Sequence, residues 1–327
     1  MTRLHLNRRL VTLCLAAAPL LAAAQTAPKT LRLVVPFPAG GATDLLARSL
    51  AQRLGQGLGT TVVVENRAGA GGTLGSAEVV KAAPDGNTLL LSTSSTHAVG
   101  PHLGTNLPYK ALGPDMDFTP IAHVANAPNV VLVPLSLPVS NIKELVAYAK
   151  ARPGQLNYAS SGNGTIVHLT AEAFKTQAGV FITHIPYRGT ALSIPDLVSG
   201  KVHLLFDSVV SGMPHVKDGK LKALAVTSEA RSALAPELPT MAESGLPGFV
   251  SNTWFGVYGP KGLAAEVTAR LNTEINAALK SADVQERFAR LGAVTAPPNT
   301  PAQFGAMVAA DSERWARIIK DRKITAE

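Results

Sequence analysis

Short apolar runs alternate with amphipathic helical patterns along the first part of the chain. The runs Leu31–Val35, Thr61–Glu65 and Thr88–Ser92 are typical of strands. Leucines spaced four residues apart predict a helix over Asp44–Leu58, and a second helix is expected near Thr73–Ala83. Strands that alternate with helices favour a parallel sheet covered by helices, so the predicted fold class is α/β.

The same alternation continues beyond about Phe118, where a second unit begins. Its predicted strands are Val130–Val133, Leu156–Ala159, His184–Pro186, Val202–Phe206 and Leu221–Thr227. Its predicted helices are one from Asn141 to about Ala151, one ending near Gln177 and one over Ile194–Ser199.

The end of the chain is expected to return to the first unit. After a strand at Thr253–Tyr258, two amphipathic helices follow, Ala264–Ser281 and one beginning at Thr300, with no further strands for them to cover. The sequence therefore predicts two α/β lobes with a ligand cleft between them and two crossing segments. Lobe 1 comprises residues 25–123 and 252–327, and lobe 2 comprises residues 124–251.

Residues 1–24 have the features of a secretory signal peptide. Three arginines precede the apolar run Leu10–Leu21, and the small residues at 22–24 provide a cleavage site near Ala24. The only cysteine, Cys14, lies within this segment, so the mature chain is expected to have no disulfide and no cysteine metal site. We expect an exported protein.

The charge of the mature chain excludes some partners. Removal of the three arginines lowers the formal net charge from +8 to +5. This mild excess could steer an anionic ligand over long range. The chain has no basic stripe interleaved with aromatic residues, so nucleic-acid binding is not expected.

Two glycine-containing turns are the candidate binding elements. Pro36–Asp44 joins the first strand to the first helix, where unpaired backbone N–H groups can hold a carboxylate or phosphate without a basic side chain. Ser160–Thr165 has the same arrangement of strand, turn and helix. Backbone geometry alone explains one such turn. A pair, one on each lobe, could hold an anion from both sides and draw the lobes together.

Each of the other polar residues near the predicted cleft has a functional and a purely structural interpretation. Ser92 ends the third predicted strand, and it can donate a hydroxyl group together with Ser94, Ser95 and Thr96 of the loop expected after it. Tyr187 could face a ligand, or its segment could be only a tight turn. Asp207 could receive an ammonium, amide or hydroxyl group, or cap the next turn. Asp44 could serve only the helix dipole, and His168 could simply pack in its helix.

The chain resembles the Bug family, the periplasmic solute-binding proteins of tripartite tricarboxylate transporters. The matching stretches span the mature chain in order: Val34–Gly41 with Asp44, Val64–Gly72, Pro84–Gly86, Tyr158–Thr165 and Pro186–Gly189. The resemblance implies a type II periplasmic-binding-protein fold that closes on a small carboxylate by hinge motion. It also implies a monomer in the periplasm that serves membrane transporter subunits transiently and has no cofactor or metal.

The resemblance also assigns candidate ligand-binding residues in both lobes. With Ser92 and Gly41 added from the residue patterns, they are Phe37, Ala39, Gly40, Gly41, Thr43, Asp44, Ser92, Ser161, Gly162, Gly164, Thr165, His168, Tyr187, Gly189 and Asp207. No arginine stands ready to clamp a second carboxylate, because Arg188 is expected to face outward. The sequence therefore does not decide whether the ligand is a monocarboxylate or a dicarboxylate.

Two alternatives remain beside this hypothesis, an enzyme and a binding protein that serves a membrane sensor. An exported hydrolase is disfavoured because G-x-S-x-G and H-E-x-x-H are absent from the sequence. A dinucleotide-binding enzyme is disfavoured because Leu74 stands where G-x-G-x-x-G needs its third glycine. A binding protein that reports to a membrane sensor would have the same lobes and cleft.

Overall fold

The computed structural model describes residues 30–103, 107–321 and 324–325. The predicted signal peptide, its cysteine and its cleavage site lie outside these residues. None of the described helices is long and apolar enough to cross a membrane.

Strands and helices alternate through most of the described chain. The strands are β1 (Leu31–Val35), β2 (Val62–Asn66), β3 (Thr88–Thr93), β4 (Phe118–Pro134), β5 (Asn157–Ser160), β6 (Thr183–Pro186), β7 (Leu204–Ser208), β8 (Leu221–Val226), β9 (Asn252–Pro260) and β10 (Val294–Thr295). The α-helices are α1 (Ala42–Leu58), α2 (Thr73–Val80), α3 (Ile142–Lys150), α4 (Ile166–Ala178), α5 (Ile194–Val198), α6 (Val209–Lys217), α7 (Ala265–Lys280), α8 (Ala282–Leu291) and α9 (Pro301–Asp321).

The strands form two parallel groups joined by antiparallel strands. β1 pairs in parallel with β2 and β3, and β5 pairs in parallel with β6 and β7. β9 pairs antiparallel with β3 and β4, and β4 pairs antiparallel with β7. The parallel sheet predicted for the first part of the chain is present in β1, β2 and β3, whereas the long strands β4 and β9 that connect the two groups run antiparallel to their neighbours.

β4 belongs to both groups. Its first part, Phe118–Pro128, pairs with β9, and its last part, Asn129–Pro134, pairs with β7 and β8. We call the part of the molecule built on β1, β2, β3, β9 and the start of β4 the first lobe. The part built on β5 to β8 and the end of β4 is the second lobe. The predicted lobe boundary at 123–124 falls inside this continuous strand, and the exact division stays a prediction.

The closing helices pack on the first lobe. α7 contacts α1 and β4, and α9 contacts β4 and the segment that follows β3. In α9, Phe304, Val308 and Trp315 recur at helical spacing and are buried. Trp254 of β9 anchors this helix by donating from Nε1 to Asp311 Oδ2 at 2.9 Å. Through these contacts the end of the chain lies against the first lobe, and the division into a discontinuous first lobe stays a prediction.

Several regular segments, including the short strand β10, were not predicted from the sequence. α6 contains Pro214, which disfavours a helix, but Ser208 caps its start by accepting from Val210 N at 3.3 Å. α8 is a polar helix whose buried side is Val284 and Phe288. A π-helical turn, Ser95–Val99, follows β3 where only a hydroxyl-rich loop was expected.

Candidate functional site

The first glycine turn is shaped by the carboxylate of Asp44. Gly40 lies at φ +80° and donates its N–H to Asp44 Oδ2 at 2.9 Å. Arg48 Nε and Asn66 Nδ2 also donate to this carboxylate, each at 3.0 Å. Burial opposes ionisation of Asp44, but the hydrogen bonds from Arg48, Gly40 and Asn66 outweigh it and hold its pKa below the usual value. Asp44 therefore holds the turn in shape.

The second glycine turn is held by hydroxyl groups and a neutral histidine. Thr165 Oγ1 donates to Gly162 O at 2.8 Å and accepts from His168 N at 3.4 Å, which caps α4. Gly164 N donates to His168 Nδ1 at 3.3 Å. Burial, aided by His184 stacked with ring centroids 4.2 Å apart, lowers the pKa of His168 to about 4. His168 is thus a neutral acceptor that fixes the turn.

A small cavity of about 50 Å³ lies between the two lobes. Five of the predicted ligand-binding residues line it, namely Phe37, Gly41, Thr43, Ser161 and Asp207. Residues outside the predicted ligand-binding set complete the lining: Pro38, Ala42, Thr93, Ser95, Asn129, Ile166, Val167, Thr190, Ala191, Ser208, Thr253 and Phe255. Both lobes therefore contribute to one site.

Helix N-termini from both lobes meet at this cavity. α1 contributes Ala42 and Thr43 and has no side-chain cap, so the N–H groups of its first turn need an acceptor from elsewhere. α4 contributes Ile166 and Val167, and Ser208 directly precedes α6. Each helix start bears a partial positive charge, and together they favour an anion.

The cavity lining contains no formal positive charge among the described residues. None of the lining residues is lysine, arginine or histidine, and Asp207 is the one ionisable side chain among them. Burial raises the pKa of Asp207 above its usual value, although hydrogen bonds from Ser211 and Thr190 oppose the rise. An anion in this cavity would be held by backbone amides and hydroxyl groups.

A second cavity of about 460 Å³ adjoins the first, since Ser95 lines both. Three predicted residues, Gly162, Gly164 and Tyr187, line this second cavity. Tyr187 donates its hydroxyl to Asp196 Oδ2 at 2.7 Å, and burial together with this carboxylate raises the pKa of Tyr187 to about 12. Arg188 was expected to face outward, and it is exposed but also lines this cavity.

The remaining predicted residues line neither cavity. Ala39, Gly40 and Asp44 form the first turn behind Gly41, and Thr165 and His168 form the support of the second turn. Ser92 lies on β3, where its Oγ contacts Thr96 Oγ1 at 2.7 Å and His97 Nδ1 at 2.6 Å. Gly189 packs against the first lobe. The ligand role of all these residues stays a prediction.

Contacts across the cleft show that the two lobes are closed on one another. Ile166 N, at the start of α4, donates to Ser95 Oγ of the first lobe at 3.1 Å. A Cβ atom at Gly162 would lie 3.1 Å from Gly71 N. A Cβ atom at Gly189 would overlap the Pro38 ring. Glycine at these positions lets the backbones of the two lobes approach.

Asn129 and Thr253 are cavity residues that sequence reasoning missed. They lie where β4 and β9 cross between the lobes, and both are buried. Thr253 Oγ1 donates to Asn129 Oδ1 at 3.3 Å, and Asn129 N donates to Thr227 Oγ1 at 2.9 Å. An asparagine in the middle of an apolar strand was the only local sign of this polar network, because its partners are distant in sequence.

Metal chemistry has no support in this site. The described residues contain no cluster of histidine, cysteine, aspartate or glutamate side chains that could hold a metal ion.

Comparisons with known proteins agree with the geometry. The model of the tripartite tricarboxylate transporter family receptor matches residues 46–324. Protein BugT of Bordetella pertussis is 41% identical over 307 residues, which cover 93% of this chain and 92% of BugT.

Solved structures show the same fold. Rpa4515 of R. palustris, solved with adipate, has a TM-score of 0.86 and 37% identity and covers 90% of this chain and 98% of its own. MatC from Rhodopseudomonas palustris, with bound malate, has a TM-score of 0.84 and 33% identity and covers 89% of this chain and 98% of its own. The fold is thus the two-lobed type II periplasmic-binding-protein class. The chain belongs to the tripartite tricarboxylate transporter receptor family, also called the Bug or TctC family, whose members are periplasmic solute-binding proteins and not enzymes.

Proposed function

We propose that this protein captures a small organic carboxylate in the interlobe cavity and delivers it to a tripartite tricarboxylate-type membrane transporter. The observation that supports this most is the meeting of helix N-termini from both lobes at one cavity whose lining has no basic side chain. Such a site suits a carboxylate because the amides at the helix starts can donate to its oxygens. Relatives solved with adipate and with malate bind ligands of this class.

Delivery to a transporter requires the protein outside the cytoplasm. We propose that residues 1–24 are removed on export to the periplasm and that the mature chain acts there as a monomer. N-terminal sequencing of the secreted protein should begin at Gln25, and light scattering should give the mass of one chain. A retained leader or a stable dimer would contradict this part of the proposal.

Ligand capture is tested by thermal unfolding of the mature protein with a panel of small organic acids. Ligand carried through purification is first removed by unfolding and refolding. An acid present at 100 times its Kd adds about 2.7 kcal/mol of stability, which corresponds to a rise in Tm of roughly 5 °C for a chain of this size. If no carboxylate raises the Tm of the stripped protein, capture of a carboxylate is wrong.

A variant at Gly41 shows whether binding occurs at the proposed cavity. Gly41 has φ −76° and ψ 165°, which any residue can adopt, and an added Cβ would contact only Pro38 O at 3.4 Å. Gly41→Val should therefore fold with nearly the wild-type Tm while its side chain occupies the cavity and abolishes the ligand-induced shift. An undiminished shift in Gly41→Val would place the ligand elsewhere.

A further inference from the structure

One wall of the cavity carries a carboxyl group, whereas the helix starts carry partial positive charge. Asp207 ends β7, is 3% exposed and lines the cavity. Ser211 Oγ donates to Asp207 Oδ2 at 2.7 Å, and Thr190 and the backbone N–H of Ser208 also form hydrogen bonds with this carboxylate. Among the described residues, no lysine or arginine forms an ion pair with this carboxylate, and His215 of α6 contributes only a favourable electrostatic interaction.

A structural role in capping the next helix does not explain Asp207. The start of α6 already has a cap, because Ser208 Oγ accepts from Val210 N at 3.3 Å. A buried carboxylate without a cation is costly, and natural proteins retain such groups where a partner compensates for the lost water. The described residues supply hydrogen bonds to Asp207 but no lysine or arginine, and a further donor or a positive charge can come from the ligand.

The position of Asp207 also restricts which chemical groups the ligand can carry. A ligand carboxylate drawn to the helix starts shares a small cavity with Asp207, and two carboxylates in contact repel one another. The repulsion is relieved if the ligand places a hydrogen-bond donor between them. A hydroxyl group can donate to Asp207, and an ammonium group can donate and also neutralise its charge.

We propose that Asp207 accepts a hydrogen bond from a hydroxyl or ammonium group of the ligand, so that the cavity selects hydroxy acids or amino acids over the same acids without a donor. This inference rests on the proposed carboxylate site and adds the second group that the site recognises. Asp207 acts as a specificity-determining residue, whereas the helix starts hold the carboxylate common to all ligands.

The test compares acids that differ only in the donor. Calorimetric titration of the mature protein uses succinate, malate and aspartate, which share one carbon skeleton, and propionate, lactate and alanine, which share another. Within at least one set, the hydroxy or amino acid should bind about tenfold or more tightly than the plain acid, as expected when a buried acceptor is left without its donor. Equal or tighter binding of the plain acids would overturn the role of Asp207 and leave the carboxylate site standing.

Substitution of Asp207 shows which residue makes the distinction. Asp207→Asn should reduce the affinity for the donor-bearing acid by roughly tenfold or more and leave the plain acid unchanged or more tightly bound, because the like-charge repulsion is removed. An equal loss for both acids would show that Asp207 acts only on the structure and would overturn the inference. If Asp207→Asn does not fold, the comparison of acids on the unaltered protein decides. If none of the six acids binds, the proposed function loses its support together with this inference.

Discussion

At the scale of single residues, the side chains nearest the two glycine turns support the binding surface from behind. Asp44 holds Gly40 and Arg48, and His168 accepts the N–H of Gly164. Both side chains are buried, and neither lines the cavity. Asp44 and His168 therefore shape the glycine turns from behind, while Gly41, Thr43 and Ser161 line the cavity.

The neutral state of His168 predicts a dependence of stability on pH. Its pKa is lowered from 6.5 to about 4 in the folded protein, so the unfolded chain binds a proton first as the pH falls. The stability linked to His168 is complete above pH 6.5 and is lost between pH 6.5 and 4. It amounts to about 3 kcal/mol by the usual conversion of a pKa shift.

Chemical unfolding of ligand-free wild type and His168→Asn at pH 7 and at pH 4 tests this effect. The wild type should lose about 3 kcal/mol more than the variant over this interval. The difference between the two proteins isolates His168, because the other buried histidines titrate in both. Parallel losses in the two proteins would show that His168 is not held neutral.

At the scale of elements, the start of α4 links the second turn to the first lobe. Thr165 caps the helix through His168 N, and Ile166 N reaches Ser95 across the cleft. The same threonine hydroxyl donates to Gly162 O at 2.8 Å, so one side chain fixes both the turn and the helix start. The start of α4, which presents N–H groups to the cavity, is thus capped by the hydroxyl group of Thr165 alone.

Removal of this cap is expected to destabilise the second lobe. Thr165→Ala should lower the free energy of unfolding by about 1 kcal/mol, the usual cost of losing an N-cap hydroxyl. Urea denaturation measures the loss. Thr176→Ala, at an exposed position of the same helix, is the matched control and should change stability by less than about 0.5 kcal/mol. If the two substitutions lower the free energy of unfolding equally, Thr165 does not stabilise the helix as a cap.

At the scale of the whole molecule, the lobes meet through positions that have no side chain. Gly162 approaches Gly71, and Gly189 lies against Pro38. β4 continues from one lobe to the other beside the polar network of Asn129 and Thr253, which also lines the cavity. The closed arrangement therefore needs small residues at the rim and joins the ligand cavity directly to the strands between the lobes.

A side chain at the rim is expected to hold the lobes apart. Gly189→Ala should weaken ligand binding by roughly tenfold or more, because the ligand must then bind a conformation that cannot fully close. Small-angle scattering with saturating ligand should give a larger radius of gyration for Gly189→Ala than for the wild type.

The control for this prediction separates closure from backbone strain. Gly219 also has positive φ, +66°, but nothing lies within 4 Å of its added Cβ. Gly219→Ala should therefore bind ligand with the wild-type affinity and reach the wild-type radius of gyration at saturating ligand. Normal compaction of Gly189→Ala would mean that contact at Pro38 does not limit closure.

The sequence by itself determined the local features of this protein. Strand and helix periods, the capping residues at Asn141 and Thr300, and the two glycine turns are set by neighbours within a few residues, so they could be predicted. The family match then indicated the two-lobed fold and the class of ligand. α6 was missed because Pro214 disfavours a helix locally, and tertiary contacts outweighed that preference.

Only the tertiary structure decided which residues form the cavity. Thr253 meets Asn129 across 124 residues of chain, and Ile166 meets Ser95 across 71. Asp207 is placed beside the helix starts of both lobes by the pairing of β4 with β7. These contacts depend on the antiparallel crossing of β4 and β9, which no local pattern encodes, because strand direction and register are fixed by packing between distant parts of the chain.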